Sequence, residues 1–187
     1  MLYLVRHGRT SANATGRLQG SRTDPPLDEV GRAQADALVS AVHQVDRLIV
    51  SPALRARQTA EVFKVEPEVD VRWQEMDYGD YDGMVIDQIP AEVWSGWTGN
   101  AEFAPHGGEA LSVVAARVRA ACEELVEEAR DGHVVVVTHA TPIKLAMAWA
   151  LGVEAGIVWR SFVDQASITR VAIRDRGPTL AAFNLVP

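Results

Sequence analysis

Short apolar runs recur along the chain and predict strands. Most are three to five residues long, too short for helices, and their continuous apolar character is typical of strands buried on both faces of a sheet. The valine run at 134–137 is the clearest case. The predicted strands are Leu2–Val5, Leu48–Val50, Val69–Trp73, Val134–Val137, Ser167–Ile173 and Leu180–Phe183.

Between these runs, apolar residues recur at helical spacing. One helix is predicted from Leu27 to about His43, with Val30, Ala33, Ala37, Leu38 and Val42 as its buried stripe. The other helices are predicted from Ser51–Pro52 (an N-cap followed by proline in the first turn) to Phe63, from Gly108 to about Arg130, and from Thr141 to about Leu151.

The order of these elements predicts an α/β fold, a three-layer α/β/α sandwich with a mostly parallel central sheet. With no repeat or linker, residues 1–187 are expected to form a single domain. Residues 84–107 combine prolines and glycines with Trp94, Trp97, Phe103 and His106, which predicts an irregular excursion that covers a pocket as a lid or insertion. The polar stretch from Thr10 to Leu27 predicts a long functional loop.

Composition narrows the class of protein. The chain has 187 residues, is 48% hydrophobic and contains one cysteine, Cys122, so we expect a substantial core and no intrachain disulfide. No signal peptide and no stretch of about 20 apolar residues is recognisable, so a cytoplasmic protein that does not bind a membrane is expected. We expect this protein to be a monomer or a homodimer.

Charge is unevenly distributed. The net charge of −7 argues against nucleic-acid binding, yet residues 1–60 carry eight arginines against five acidic residues. A basic N-terminal third in an acidic chain favours a small anionic substrate held in one cleft.

Reactive side chains follow three of the predicted strands. Arg6 and His7 follow the first, Arg55 lies just beyond the second, and His139 follows the valine run. Because the carboxyl ends of parallel strands meet at one edge of a sheet, these groups are expected in one crevice. Gly8 is expected to allow a sharp turn and the close approach of an anion. Two guanidiniums can hold a phosphoryl group there, an imidazole can attack phosphorus, and an acid such as Glu75 can protonate the leaving oxygen.

These motifs resemble the histidine phosphatase superfamily, also called phosphoglycerate mutase-like. The similarity is collinear over nearly the whole chain. It includes Arg6-His7-Gly8, Asn13, Gln19-Gly20, Ser51–Ala60, Glu75 with Tyr78-Gly79 and Asp82-Gly83, Gly107–Glu109, and Thr138-His139. Within the superfamily, Thr138–Lys144 resembles the α-ribazole-phosphatase-like branch.

The resemblance implies a role for each residue. His7 would be the phosphorylated nucleophile, Glu75 the proton donor, and Arg6, Arg55 and His139 the phosphate clamp. Further substrate or phosphate contacts are expected from Asn13, Gln19, Gly20 and Ala140. No metal and no cofactor is implied, because cationic side chains supply the charge that a metal would.

Some alternatives stay open. Arg9 is either solvated or extends the positive pocket, and His106 is a possible substrate contact. The expected activity is metal-independent hydrolysis of small phosphomonoesters through a phosphohistidine on His7. The alternatives are a phosphoglycerate mutase-type transferase, for which the chain is expected to be too short, and a non-catalytic module that binds phosphorylated ligands.

Overall fold

The computed structural model describes all 187 residues and has one six-stranded sheet at its centre. In chain order the strands are β1 Leu2–Arg6, β2 Arg47–Val50, β3 Glu68–Val69, β4 Val134–Thr138, β5 Ile168–Arg174 and β6 Gly177–Leu185. Their spatial order is β3-β2-β4-β1-β5-β6. β2, β4 and β1 are parallel neighbours, and β5 joins β1 in antiparallel register. The predicted parallel centre of the sheet is therefore confirmed.

Seven α-helices surround the sheet. They are α1 Ser11–Ala14, α2 Glu29–Ala37, α3 Leu54–Ala60, α4 Ala91–Gly99, α5 Leu111–Glu124, α6 Val126–Asp131 and α7 Ala140–Leu151. Short 3-10 turns at Leu38–Ser40 and Glu61–Phe63 extend α2 and α3, and others lie at Val71–Trp73, Gly79–Tyr81, Ile86–Gln88 and Ala155–Arg160. No helix combines the length and apolar content needed to cross a bilayer.

Two apolar cores lie on opposite faces of the sheet. Val134 and Val136 of β4 pack with α4, α5, α6 and α7, whereas Val135 and Val137 pack with Leu38 after α2 and Ala56 of α3. Because successive side chains of a strand point to opposite faces, the unbroken valine run requires helices on both sides. This arrangement confirms the three-layer α/β/α sandwich.

Several predicted elements were wrong in detail. Ser51 does not cap a helix: α3 begins at Leu54 after Ala53, which provides no side-chain cap. The strand predicted at Val69–Trp73 ends at Val69 and continues as a 3-10 turn. Residues 84–107 contain α4, and Trp97 on that helix is core, 2% exposed, because it packs against aromatic side chains from distant segments.

The buried stripe predicted for the helix at α2 was wrong in part. Leu38 and Val42 are buried as predicted, whereas Val30 and Ala33 are exposed and the helix turns Gly31 and Ala35 inward. A Cβ on Gly8 would collide with the Gly31 carbonyl oxygen, and a Cβ on Gly31 would collide with the Arg9 carbonyl oxygen. Gly8 is therefore required for the close approach of α2 to the loop after β1, and not for a left-handed turn.

Candidate active site

The carboxyl ends of β1, β2 and β4 bring three polar side chains together. His7 follows β1, Ser51 follows β2, and His139 follows β4 at the N-cap of α7. The centroids of the two imidazole rings lie 5.1 Å apart, and the ring planes make an angle of 61°. Ser51 Oγ lies 2.7 Å from His139 Nε2, and both residues are fully buried. The predicted crevice therefore contains Ser51 in addition to the two histidines.

The hydrogen-bond partners of His7 determine which of its ring nitrogens carries the proton. Nδ1 lies 2.8 Å from the Gly8 carbonyl oxygen, which can only accept, so Nδ1 carries the hydrogen. Arg55 Nε donates to His7 Nε2 at 3.3 Å, so Nε2 presents a lone pair. His7 is thereby held as a neutral imidazole whose Nε2 carries the free lone pair.

Electrostatics favours the same state. Burial lowers the pKa of His7 well below its ordinary value, and the charges of Arg55 and Arg6 lower it further against the opposing hydrogen bond to Gly8. The pKa of His139 is also lowered well below its ordinary value, mainly by burial and then by Arg55 and His7. Both imidazoles are therefore neutral near pH 7.

Arg55 is oriented by a loop that is itself organised by Asp82. The guanidinium, 1% exposed, donates to the carbonyl oxygens of Gly20 and Thr23, each at 3.0 Å, in addition to His7. The Asp82 carboxylate accepts hydrogen bonds from the backbone N–H groups of Gly20 at 2.9 Å and Arg22 at 2.7 Å, and from the Thr23 hydroxyl at 2.8 Å. One carboxylate thus fixes the two carbonyl groups that aim Arg55 at His7.

Three buried donors on the cavity wall have no partner in the protein. They are Arg6 Nε, Gln19 Nε2 and Trp159 Nε1, and all three residues line the same cavity as His7. Arg6 is held by donation from Nη1 to the Val163 carbonyl, and Gln19 by the Thr10 hydroxyl, which donates to Oε1 at 2.9 Å. Because an unsatisfied buried donor is costly, these three N–H groups favour a ligand that carries acceptor atoms.

Glu75 contributes the only carboxylate of the cavity wall. It is 5% exposed, and its two oxygens accept from the backbone N–H of Met76 at 2.8 Å and of Thr141 at 3.3 Å. Arg117 supports the Glu75 segment by donating to the Gln74 carbonyl at 2.7 Å and to Glu109 Oε1 at 2.9 Å. The carboxyl group is thereby held beside the cavity, where it can exchange a proton with a ligand.

The cavity that these groups share has a volume of about 410 Å³. Predicted residues on its wall are Arg6, His7, Asn13, Gln19, Glu75 and Ala140. Its outer wall includes Trp94, which lies in the predicted pocket-covering segment 84–107, and four residues that were not predicted: Arg17, Lys144, Trp159 and Phe162. Only the aromatic content of residues 84–107 signalled Trp94; nothing in the local pattern around 155–165 indicated a site.

Other predicted residues lie off the cavity wall. Arg55 and His139 are buried behind the cavity wall, where both contact the His7 ring. The Gly20 backbone donates its N–H to Asp82 and accepts from Arg55 at its carbonyl oxygen. Arg9 forms an ion pair with Asp28 at 2.8 Å, so it does not extend the positive pocket. His106, 91% exposed in its side chain, pairs with Asp80 at 2.9 Å and is not part of the cavity.

Comparison with known proteins agrees with this geometry. The model of the histidine phosphatase superfamily (branch 1) matches residues 2–186. A solved mycobacterial glucosyl-3-phosphoglycerate phosphatase, complexed with VO3, is 31% identical, with a TM-score of 0.86 and coverage of 98% of each chain. The adenosylcobalamin/α-ribazole phosphatase of Escherichia coli is 30% identical over 193 aligned positions, which cover 98% of this chain and 95% of that protein. The expected likeness to α-ribazole phosphatases is thereby confirmed.

A third relative is longer. A bifunctional protein of Mycobacterium tuberculosis is 30% identical over 178 residues, covering 90% of this chain and 49% of that protein. The chain therefore spans about half the length of this protein and of two further mycobacterial relatives that it matches with the same identity and coverage.

Proposed function

This chain belongs to the histidine phosphatase superfamily (branch 1), and from that premise we propose that it hydrolyses small phosphomonoesters without a metal, through a phosphohistidine on His7. One observation carries the proposal. His7 is held neutral, with the Nε2 lone pair facing Arg55 and the ring on the wall of a cavity that also contains Arg6 and Glu75.

In the first step, His7 Nε2 attacks phosphorus and the bond from phosphorus to the ester oxygen breaks. The leaving oxygen takes a proton from Glu75, which lies on the same cavity wall. Arg6 and Arg55 would hold the phosphoryl oxygens, with Gln19 Nε2 as a further donor. Two neighbouring guanidiniums stabilise the charge of the phosphoryl group in the transition state, which is the contribution that a metal makes elsewhere.

In the second step, water attacks the phosphorus of phosphohistidine. Glu75, now a carboxylate, takes a proton from that water while the phosphorus–nitrogen bond breaks. Inorganic phosphate leaves and His7 returns to its neutral form. His139 would remain close to the phosphoryl group because its ring lies 5.1 Å from that of His7.

The experiment that tests the proposal combines a substrate panel with trapping. Purified protein should release inorganic phosphate from one or more small phosphomonoesters, and rapid quenching should trap an acid-labile phosphoryl group on His7. His7→Asn should lose both, whereas His106→Asn, a matched change at an exposed histidine outside the cavity, should keep both.

The same experiment separates the alternatives. A mutase would return the phosphoryl group to its substrate and release little phosphate, and a binding module would show neither product nor trapped intermediate. Phosphate release with no phosphohistidine would contradict the mechanism.

We also propose that the enzyme acts in the cytoplasm, as a monomer or homodimer. The single cysteine, Cys122, is buried and unpaired, which suits a reducing compartment. The expectation that residues 84–107 act as a lid stays a prediction.

A further inference from the structure

The outer wall of the cavity is aromatic. Trp94 of α4 and Trp159 of the 3-10 turn at Ala155–Arg160 lie edge to face, with ring centroids 6.2 Å apart at 89°. Phe162, 65% exposed, lies on the same wall. The exposed Phe162 ring contacts water on this wall, and a ligand that covered it would gain the free energy of burial.

The rings of Trp94 and Trp159 are held in place before any ligand binds. Trp97, which is core, contacts Trp94 at 5.2 Å and Trp159 at 6.3 Å between ring centroids. Lys144 Nζ donates to the Val158 carbonyl at 2.9 Å and so fixes the backbone next to Trp159. A rigid aromatic wall favours a flat ligand, because little side-chain freedom is lost on binding.

The charges of the cavity constrain the rest of the ligand. Arg17 and Lys144 lie on the same cavity wall, and Glu75 is the only carboxylate that accompanies them there. A leaving group with an ammonium would therefore be repelled. Lys144 is already bonded to Val158, and Arg17 Nη1 donates to the Gly83 carbonyl at 2.9 Å. Each cation keeps its charge and further N–H donors, so the wall stays positive and disfavours a cationic ring.

We propose that the leaving group of the substrate carries a flat aromatic ring without a positive charge, which binds against Trp94, Trp159 and Phe162 while the phosphoryl group lies at His7. This inference rests on the proposed phosphatase activity. The volume of about 410 Å³ lies within the range of small-molecule sites and exceeds what a phosphate group alone fills.

Four phosphate esters of primary alcohols test it: 3-phenylpropyl, n-propyl, 3-carboxypropyl and 3-aminopropyl phosphate. All leave as primary alkoxides, so differences in kcat/KM report contacts with the remainder of the leaving group. We expect kcat/KM for the phenyl ester to exceed that of the n-propyl ester about 10-fold or more, and the ammonium ester to be the poorest substrate.

The variants Trp159→Leu and Phe162→Ala should lower kcat/KM for the phenyl ester several-fold, leave the n-propyl ester within about twofold, and leave inhibition by inorganic phosphate unchanged. Leu151→Ala, an exposed apolar residue outside the cavity, is the matched control. If Trp159→Leu fails to fold, Phe162→Ala decides, because an exposed ring contributes little to the fold.

Equal rates for the phenyl and n-propyl esters, or a preference for the carboxylate ester, would overturn the aromatic specificity and leave the phosphatase proposal standing. Turnover of none of the four esters, nor of any other phosphomonoester, would overturn the phosphatase proposal and this inference with it.

Discussion

Ser51 Oγ and His139 Nε2 lie 2.7 Å apart at the ends of two neighbouring parallel strands. Ser51→Ala removes the only hydrogen-bond partner of the buried His139 ring, because His139 Nδ1 already has none. We expect the free energy of unfolding to fall by about 1–3 kcal/mol, and kcat/KM to fall because the His139 ring is no longer oriented. Urea unfolding and steady-state kinetics measure the two effects.

Ser40→Ala is the matched control, since its exposed hydroxyl donates only to the Ala37 carbonyl. It should change neither quantity. Wild-type kinetics in Ser51→Ala would show that the orientation of His139 does not matter for turnover.

Glu75→Gln should discriminate between leaving groups. An alkoxide must be protonated as it leaves, whereas a nitrophenolate leaves without a proton. We therefore expect the rate of His7 phosphorylation to fall about 10²–10⁴-fold with an alkyl phosphate and much less with an aryl phosphate. Single-turnover measurements of the phosphorylated enzyme separate this step from hydrolysis of the intermediate.

Arg55→Ala provides the comparison, because it removes a phosphoryl contact that both substrates share. It should slow both substrates about equally. If Glu75→Gln also slowed both equally, Glu75 would not be the proton donor. No other carboxylate could replace it on the cavity wall, since Asp77 and Glu109 lie off that wall in ion pairs with Arg22 and Arg117.

Asp82→Asn should lower activity, although Asp82 itself does not contact the substrate. The loss of charge loosens the Gly20–Thr23 loop, whose carbonyl groups aim Arg55. Small misplacements of a catalytic group cost about 10²-fold, so a fall in kcat/KM of that order is expected, together with weaker inhibition by inorganic phosphate.

Asp80→Asn is the control for this variant, since the side chain of Asp80 is exposed and pairs with His106. Unchanged phosphate inhibition in Asp82→Asn would mean that the loop holds Arg55 without the carboxylate.

The lowered pKa values of His7 and His139 predict a pH-dependent stability. The contribution of these two neutral histidines to the free energy of unfolding is complete above pH 6.5, the ordinary pKa of imidazole. It is lost as the pH falls below that value. In that range the unfolded chain binds protons that the native protein does not, so the free energy of unfolding falls by up to about 1.4 kcal/mol per pH unit for each histidine.

Urea unfolding between pH 7.5 and 5.5 measures this slope. His7→Asn and His139→Asn should each flatten it, and His43→Asn, a change at an exposed histidine, should not. The same slope in all four proteins would refute the assignment.

Treatment with a strong chelator should leave the rate of hydrolysis unchanged. No three His, Cys, Asp or Glu side chains are grouped as metal ligands, and Arg6 and Arg55 supply positive charge beside His7. Activity is measured after dialysis and again after a divalent cation is added back. A large loss that the cation restores would show that a metal takes part.

The central strands and the residues after them could be predicted because the signals are local. The apolar runs of β1, β2 and β4 mark their own ends, and His7 and His139 follow immediately. Three parallel neighbours then require these side chains to meet at one edge.

The partners of those residues could not be predicted, because they come from distant parts of the chain. Ser51 followed by proline has the local pattern of a helix cap, yet its hydroxyl bonds to a histidine 88 residues later. Trp97 lies among prolines and glycines, and its burial depends on Trp159 from another segment. Arg9 has a pairing partner, Asp28, that local periodicity does not reveal.

The long chain separations at the site also determine when activity can return during refolding. Arg55 and His7 are 48 residues apart, Glu75 and Thr141 are 66 apart, and Ser51 and His139 are 88 apart. No isolated hairpin or helix brings any of these pairs together, and nonlocal contacts of this kind form slowly. Regained turnover therefore reports the assembled centre of the sheet, whereas helical circular dichroism should recover earlier.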